Sequence, residues 1–363
     1  MLERIGPRIL IVRLSAIGDV VVTTPVSRAL REAFPDAHLT WAVEKKASGF
    51  LEGNPYLDEV VVWDRPRGAR GMADVVRFGT LLRKGRFDWA VDCQGNLRSA
   101  LVSRLSGARK VIGNTEAREQ AARCYHVRVP RSATDLSSRQ RCLDLLRPLG
   151  VRSSDRRMVV TVSDTERNAA RDALEAGGLP AGAGYACLVP GTTWPQKHWF
   201  EDRWAELAGL VQERLGLTPV LLGGPADVIA AERIREAAPG RCVTLAGKTS
   251  LKTGAAVLEG ARFTVAVDTG LMHASVAVGT PTVGVCGASW WKGFQDYEPF
   301  ALVREPMSCS PCLHRPSCGG QFDCMRALSA ERVLAAAVGL PQSQVQGSRF
   351  KVPGSGFQVP VLP

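Results

Sequence analysis

The chain has 363 residues, 45% hydrophobic and 22% charged, the balance of a folded globular protein and not of a disordered or fibrous one. That length exceeds one ordinary core of roughly 100–200 residues, so two domains are expected. The net charge of +11 lies mostly in the first half (25 Lys+Arg against 16 Asp+Glu over residues 1–150, +9; 21 against 19 over 151–363, +2), a field that favours an anionic partner, while few aromatics lie among the arginines, which argues against a stacking platform for single-stranded nucleic acid.

The opening "MLERIGPRILIVRL" does not read as a signal peptide: its apolar stretch is short, Arg13 interrupts it, and no small-residue cleavage site follows. It reads as a buried strand that gives way at "SAIGD" to a helix around "TPVSRALREAF". Then come strands "HLTWAVE" and "EVVVWD", a helix around "ADVVRFGTLLRKG", strand "FDWAVDCQG", helix "RSALVSRLSG" and strand "RKVIGN". In the second half "YACLVPG" precedes the helix "FEDRWAELAGLVQERLG". After it follow "PVLLGG", "ADVIAAERIREAA", "CVTLAG", "LKTGAAVLEG", "FTVAV", "LMHASVAVG" and "PTVGVCG", strand and helix in turn. The apolar run from "FTVAV" to "GVCG" contains Asp268, His273 and Pro281, so it reads as alternating elements and not as a membrane span. This rhythm predicts an α/β protein with two doubly wound parallel sheets. The boundary is expected between about 150 and 185, and the Pro/Gly/Ser/Gln-rich tail 341–363 is expected to be disordered.

Parallel α/β sheets bind ligands at the loops beyond the carboxyl ends of their strands. In the first such loop Gly18 permits close approach of backbone to ligand, and Asp19 is either a helix cap or a functional carboxylate. The loop matches neither the dinucleotide fingerprint nor the phosphate-binding loop with lysine. In "VPGTTWPQKHWF", Thr192, Thr193 and Lys197 precede a helix and suit a phosphate, or they are ordinary caps beside a solvated lysine; Trp194, Trp199 and Phe200 read as packing. In "FTVAVDTGLMHAS", Asp268, Thr269 and Gly270 end a strand, and His273 lies on the following helix. A carboxylate beside a diphosphate is repulsive, so Asp268 is expected to face neutral hydroxyls; the alternatives are a cap and a core histidine. A weaker candidate is "LLGGPADVIAAERI", where Asp227 or Glu232 would reach a ribose.

Together, "RLSAIGDVVVTTPV", "DCQGNLRSALVSRLSGARKVIG", "PGTTWPQKHWF" and "VAVDTGLMHASVAVGTPTVGV" resemble glycosyltransferase family 9, the ADP-heptose:lipopolysaccharide heptosyltransferases. The resemblance implies a GT-B architecture, two Rossmann-like domains facing a cleft. Residues 1–165 would take the acceptor and 166–340 the nucleotide-sugar, and the final helix would pack back across the first domain. It also implies an inverting transfer of heptose to the lipopolysaccharide inner core. Asp19 would be the general base, with Lys197 meeting the leaving diphosphate. Thr192, Thr193, Lys248, Thr249, Asp268, Thr269, Gly270 and His273 would lie around the donor. Arg65, Arg67, Arg70 and Arg98 are candidates for an anionic, lipid-linked acceptor. No catalytic metal is expected. The implied location is cytoplasmic, with peripheral contact on the inner face of the inner membrane. The alternatives are another nucleotide-sugar or acceptor on the same fold, or a non-enzymatic metal-binding protein docking on nucleic acid.

Ten cysteines in this length do not make a disulfide scaffold. Six are scattered and read as reduced core residues. The other four, Cys309, Cys312, Cys318 and Cys324, are dense in "CSPCLHRPSCGGQFDC". Their C-x2-C-x5-C-x5-C spacing fits a structural zinc or iron–sulfur site, with free thiols and disulfides as the alternatives.

Overall fold

A computed structural model of the chain describes residues 6–65, 71–132, 137–313 and 315–341. The predicted tail from 342 onward lies outside the described residues, as do Arg67 and Arg70.

The first lobe runs β1 (Arg8–Val12), α1 (Ile17–Thr23), α2 (Pro25–Ala33), β2 (His38–Glu44), α3 (Lys45–Ser48), β3 (Glu59–Trp63), α4 (Gly71–Leu81), β4 (Trp89–Asp92), α5 (Leu97–Leu105), β5 (Lys110–Asn114), β6 (Val127–Val129) and α6 (Ser138–Asp144). The second runs α7 (Asp164–Ala176), β7 (Tyr185–Val189), α8 (Glu201–Leu215), β8 (Thr218–Leu221), α9 (Val228–Ala237), β9 (Val243–Thr244), α10 (Leu251–Glu259), β10 (Thr264–Val267), α11 (Gly270–Ala277), β11 (Thr282–Val285), β12 (Phe300–Val303), α12 (Asp323–Arg326) and α13 (Ala330–Val338). The predicted first helix is two helices. Pro25 cannot donate the hydrogen bond that would carry α1 onward, and it suits the first position of α2.

The sheet orders are β3-β2-β1-β4-β5-β6 and β12-β11-β10-β7-β8-β9, and the strands are parallel throughout. The second is the first topology repeated. Both faces of each sheet are covered, which is why the strands read as unbroken apolar runs. In β1, Ile9 and Ile11 enter one core while Leu10 and Val12 enter the other. The second sheet splits likewise, Leu188 to one side and Cys187 and Val189 to the other.

Chain order reverses between β1 and β4 in one lobe and between β7 and β10 in the other. Ligands bind at such switch points, and the four loops that leave these strands carry Asp19, Gln94, Thr192 and Asp268. The lobes meet through an apolar seam in which Val21, Val22 and Phe50 join the core of the second lobe. Polar fasteners flank it. Lys252 of α10 donates to the carbonyl oxygens of Glu52 (3.1 Å) and Thr161, and Arg139 of α6 pairs with Asp296 (2.5 Å). The last described helix corrects an expectation: α13 packs on α8 and on strands β10 to β12 of its own lobe. Val333, Leu334 and Ala337 belong to that lobe's core, and burying them there leaves no apolar stripe to cross the first lobe.

Candidate active site

Asp19 occupies the third position of α1, where its Oδ2 accepts the Ala16 N–H (3.3 Å), so it does serve as a cap. The same oxygen pairs with Arg13 Nη2 at 2.7 Å. Arg13 in turn is anchored by donating from Nη1 to the Cys93 carbonyl (2.5 Å). Gln94 Oε1 accepts the N–H groups of Leu14 (2.8 Å) and Ser15 (3.2 Å), so the loop after β4 holds the loop after β1. The Asp19 side chain is 53% exposed although protein surrounds it, as expected of a group lining a cleft. Desolvation by that protein raises its carboxyl. Arg13 and the Ala16 N–H oppose this and hold the group below the ordinary carboxylate range.

Across the seam, α11 points its N-terminus at α1. A Cβ on Gly18 would stand 2.5 Å from His273 Cδ2, and one on Gly270 would stand 2.7 Å from Ile17 Cγ2. Close approach at Gly18 is thus to the other lobe, a contact the sequence did not reveal. His273 is buried, and its Nδ1 is 2.9 Å from Tyr297 Oη. Burial lowers its pKa despite Asp268 and Asp19 nearby, so the ring is neutral at pH 7. Burial also raises the Tyr297 phenol. A phenol donating to Nδ1 leaves the ring proton on Nε2, which faces Asp268 Oδ1 at 3.7 Å.

Asp268 collects the second lobe's donors. Its Oδ2 pairs with Lys197 Nζ at 2.6 Å and accepts the Ser289 hydroxyl at 2.5 Å, while its carbonyl accepts the Thr192 hydroxyl at 3.0 Å. Lys197 sits in a single turn, Pro195–Lys197, before α8. The sequence reading gave Lys197 to a phosphate and Asp268 to hydroxyls; the structure pairs them. The pair carries no net charge, which removes the repulsion between this carboxylate and an approaching diphosphate. Thr269 begins α11, and its side chain makes no cap bond.

The remaining candidates spread more widely. Thr193 and Lys248 are exposed, Lys248 donating to the Thr244 carbonyl (3.2 Å), and Thr249 is half-buried just before α10. Asp227 accepts the Gly224 N–H (2.8 Å) and abuts Gly191, whereas Glu232 pairs with Arg235 on an exposed helix face. Trp199 is buried, edge-on to Trp204 at 5.0 Å. Trp194 is 40% exposed and begins the turn that carries Lys197 toward Asp268. Arg65 and Arg98 do converge, at 3.7 and 3.6 Å from Oε1 of the buried Glu44, and Lys46 reaches its Oε2 at 3.2 Å. Three cations on one carboxylate leave positive charge over at the carboxyl edge of the first sheet.

All ten cysteines are free. Ser310 donates to the Gly287 carbonyl (2.6 Å) and the Leu313 N–H to Ala288 (2.9 Å), while Cys324 also lies against Gly287. Both ends of the cysteine segment therefore dock on the turn before Ser289. Among the described residues no three His, Cys, Asp or Glu side chains are grouped to hold a metal ion as they stand. Sequence reading missed Arg13, Gln94, Ser289 and Tyr297. Arg13 alone left a signal, as a charge inside an apolar strand.

Arg13 supplies a prediction. Arg13→Gln removes the charge that lowers Asp19 and keeps the desolvation that raises it. The acid limb of kcat/KM, which lies below the ordinary Asp pKa of about 3.9 in the parent, moves upward in the variant. A pH–rate profile measures it, and an unmoved limb would mean that another group titrates there.

Two Rossmann-like lobes that meet at their switch points form a GT-B architecture, and comparison with known proteins gives the family. The chain belongs to glycosyltransferase family 9 (heptosyltransferase), whose family model matches residues 75–321. It is 30% identical over 320 residues to lipopolysaccharide heptosyltransferase 1 of Pseudomonas aeruginosa, covering 85% of this chain and 86% of that one. It is 29% identical to the Escherichia coli K12 protein of the same name, over 77% of this chain and 88% of that one. Among solved structures, E. coli heptosyltransferase WaaC with ADP matches with a TM-score of 0.68 at 28% identity, over 90% of this chain and 98% of that one. A family 9 glycosyl transferase from Veillonella parvula matches with a TM-score of 0.79 at 23% identity, over 92% and 96%.

Proposed function

We propose that this enzyme moves heptose from ADP-heptose to the inner core of lipopolysaccharide, with inversion, in one displacement. The first lobe, residues 1–165, takes the acceptor and the second, 166–340, takes the donor. The acceptor oxygen attacks the anomeric carbon as its proton passes to Asp19. The bond from that carbon to the diphosphate breaks, and its electron pair leaves on the phosphate oxygen. Lys197, the Thr192 and Thr193 hydroxyls and the free N–H groups at the start of α11 meet the new negative charge. Asp268, held by Ser289 and in contact with His273, then faces the sugar hydroxyls. Lys248 and Thr249 border the nucleotide, and Arg65 and Arg98 hold acidic groups of the acceptor.

One observation supports this reading above the others. Asp19 of one lobe and the Lys197–Asp268 pair of the other lie at facing switch points, with the buried His273 between them. Relatives named lipopolysaccharide heptosyltransferase 1 support heptose as the sugar and lipopolysaccharide as the acceptor. The test is a panel of nucleotide-sugars with mass readout on a lipopolysaccharide core acceptor. ADP-heptose is expected to add one heptose mass. Transfer from a different donor alone would change the substrate, and no transfer together with no nucleotide binding would end the reading.

The charged side chains and N–H groups named above meet the leaving charge without requiring a metal. For Cys309, Cys312, Cys318 and Cys324 the reading is a structural site, since four thiolates suit zinc or an iron–sulfur cluster. Elemental analysis of chelator-free protein is expected to give about one zinc per chain, or cluster iron and its absorbance. Ten titratable thiols with no metal would remove the site.

A further inference from the structure

One residue of the cysteine segment is bonded to both turns that serve Asp268. The Oδ2 atom of Asp268 takes its two donors from separate places, Lys197 from the turn Pro195–Lys197 and Ser289 from the loop after β11. Leu313 ties these together. Its carbonyl accepts the side-chain N–H of Gln196 (2.6 Å), and its own N–H donates to the Ala288 carbonyl (2.9 Å). Gln196 directly precedes Lys197, and Ala288 directly precedes Ser289. Gln196 is 4% exposed, so its bond is shielded from water.

Leu313 is held by its backbone and not by its side chain, which is 45% exposed. Its φ is +53°, a left-handed conformation that is costly for a bulky residue and persists only where the surroundings impose it. The bonds to Gln196 and Ala288 supply that constraint. Ser310 adds a further tie, donating to the Gly287 carbonyl (2.6 Å). Cys309 and Cys312 stand directly before these two anchors, and both are only half-buried.

We propose that residues 309–313 clamp the two turns that serve Asp268, and that Gln196 is the positioning residue through which this clamp sets the grip of Lys197 on the donor diphosphate. Such coupling is reciprocal: what the clamp adds to donor affinity, the bound donor returns to the clamp. ADP held by Lys197 steadies its turn, and through Gln196 it steadies Leu313 and the neighbouring thiols of Cys309 and Cys312. The proposal rests on the reading that Lys197 and Asp268 face the donor. It goes further by tying donor affinity to a segment that supplies no group to the reaction.

The test exposes the full chain to iodoacetamide for timed intervals, with and without saturating ADP, and reads each thiol by peptide mass spectrometry beside calorimetry with ADP. The ratio of the two rates is what counts, so it serves for thiols free or metal-bound. ADP is expected to slow alkylation of Cys309 and Cys312 about fivefold or more. Cys124, half-buried in the first lobe, keeps its rate. Gln196→Met keeps the length of the side chain and removes its N–H. It is expected to bind ADP about two- to tenfold more weakly, to raise the KM for ADP-heptose alike with the acceptor KM unchanged, and at saturating ADP to lose the protection. A merely structural amide would lower the melting temperature and leave the protection in place. The arm with the parent chain needs no variant, so it decides even if Gln196→Met does not fold. ADP that binds the parent while Cys309 and Cys312 react at an unchanged rate would overturn this proposal alone. So would protection that survives in Gln196→Met, the mark of direct shielding by ADP. A parent chain that does not bind ADP would end the donor reading and the clamp with it.

Discussion

Asp19→Asn is expected to keep donor binding near the parent value and lower turnover by about 10²–10⁴-fold, the range for a lost general base. Asparagine is the informative replacement because Asp19 does two things. Its Oδ2 holds the Ala16 N–H and Arg13 in place, and it stands half-exposed as a carboxylate. The asparagine oxygen retains the cap and the shape but cannot take a proton. Asp19→Ala loses both, so its additional cost over asparagine reports the Ala16 and Arg13 contacts together. Single-turnover rates with ADP-heptose, beside calorimetry with ADP, separate the chemistry from the binding. An asparagine variant that turns over at nearly the parent rate would reduce Asp19 to its structural role.

Lys197→Ala comes next in size. It is expected to lower turnover by about 10²–10³-fold, as for removal of one group that meets charge in the transition state. It also weakens ADP binding, because Asp268 is left as an uncompensated carboxylate beside the diphosphate. The two effects part in a double variant. Adding Asp268→Asn removes the repulsion and recovers ADP affinity, while turnover stays low. A double-mutant cycle on binding and on rate is then non-additive for the first and near-additive for the second. If Lys197→Ala binds ADP as the parent does, the pair is a structural fastening that never faces the phosphates.

The strands of both lobes were legible in the sequence because both faces of each sheet are buried, so apolar residues run on without alternation. Several shorter or irregular features were not read. The edge strands β6 and β12 are short and carry residues that also suit loops. The helix α7 falls in the stretch expected to hold the boundary, yet Ser163 and Glu166 form a reciprocal cap that the S-x-x-E pattern announces. The break before Pro25 was signalled by proline itself. In the site, each lobe's loops could be found because glycine, threonine and carboxylate gather where strands end. Their pairing could not, since Lys197 and Asp268 lie 71 residues apart. The same holds for Gln94 and Tyr297, whose partners are set by how two sheets and two lobes come together.

The glycine-to-glycine meeting of α1 and α11 limits how the molecule can breathe. No methyl fits there, and close-packed matter barely compresses. Any closing of the two lobes would therefore turn about this seam as a fulcrum. Such a motion would keep the spacing of Gly18 and His273 almost constant while the parts of each lobe far from the seam travel furthest. The proposed base, one residue from Gly18, would then sit at the still point of the motion.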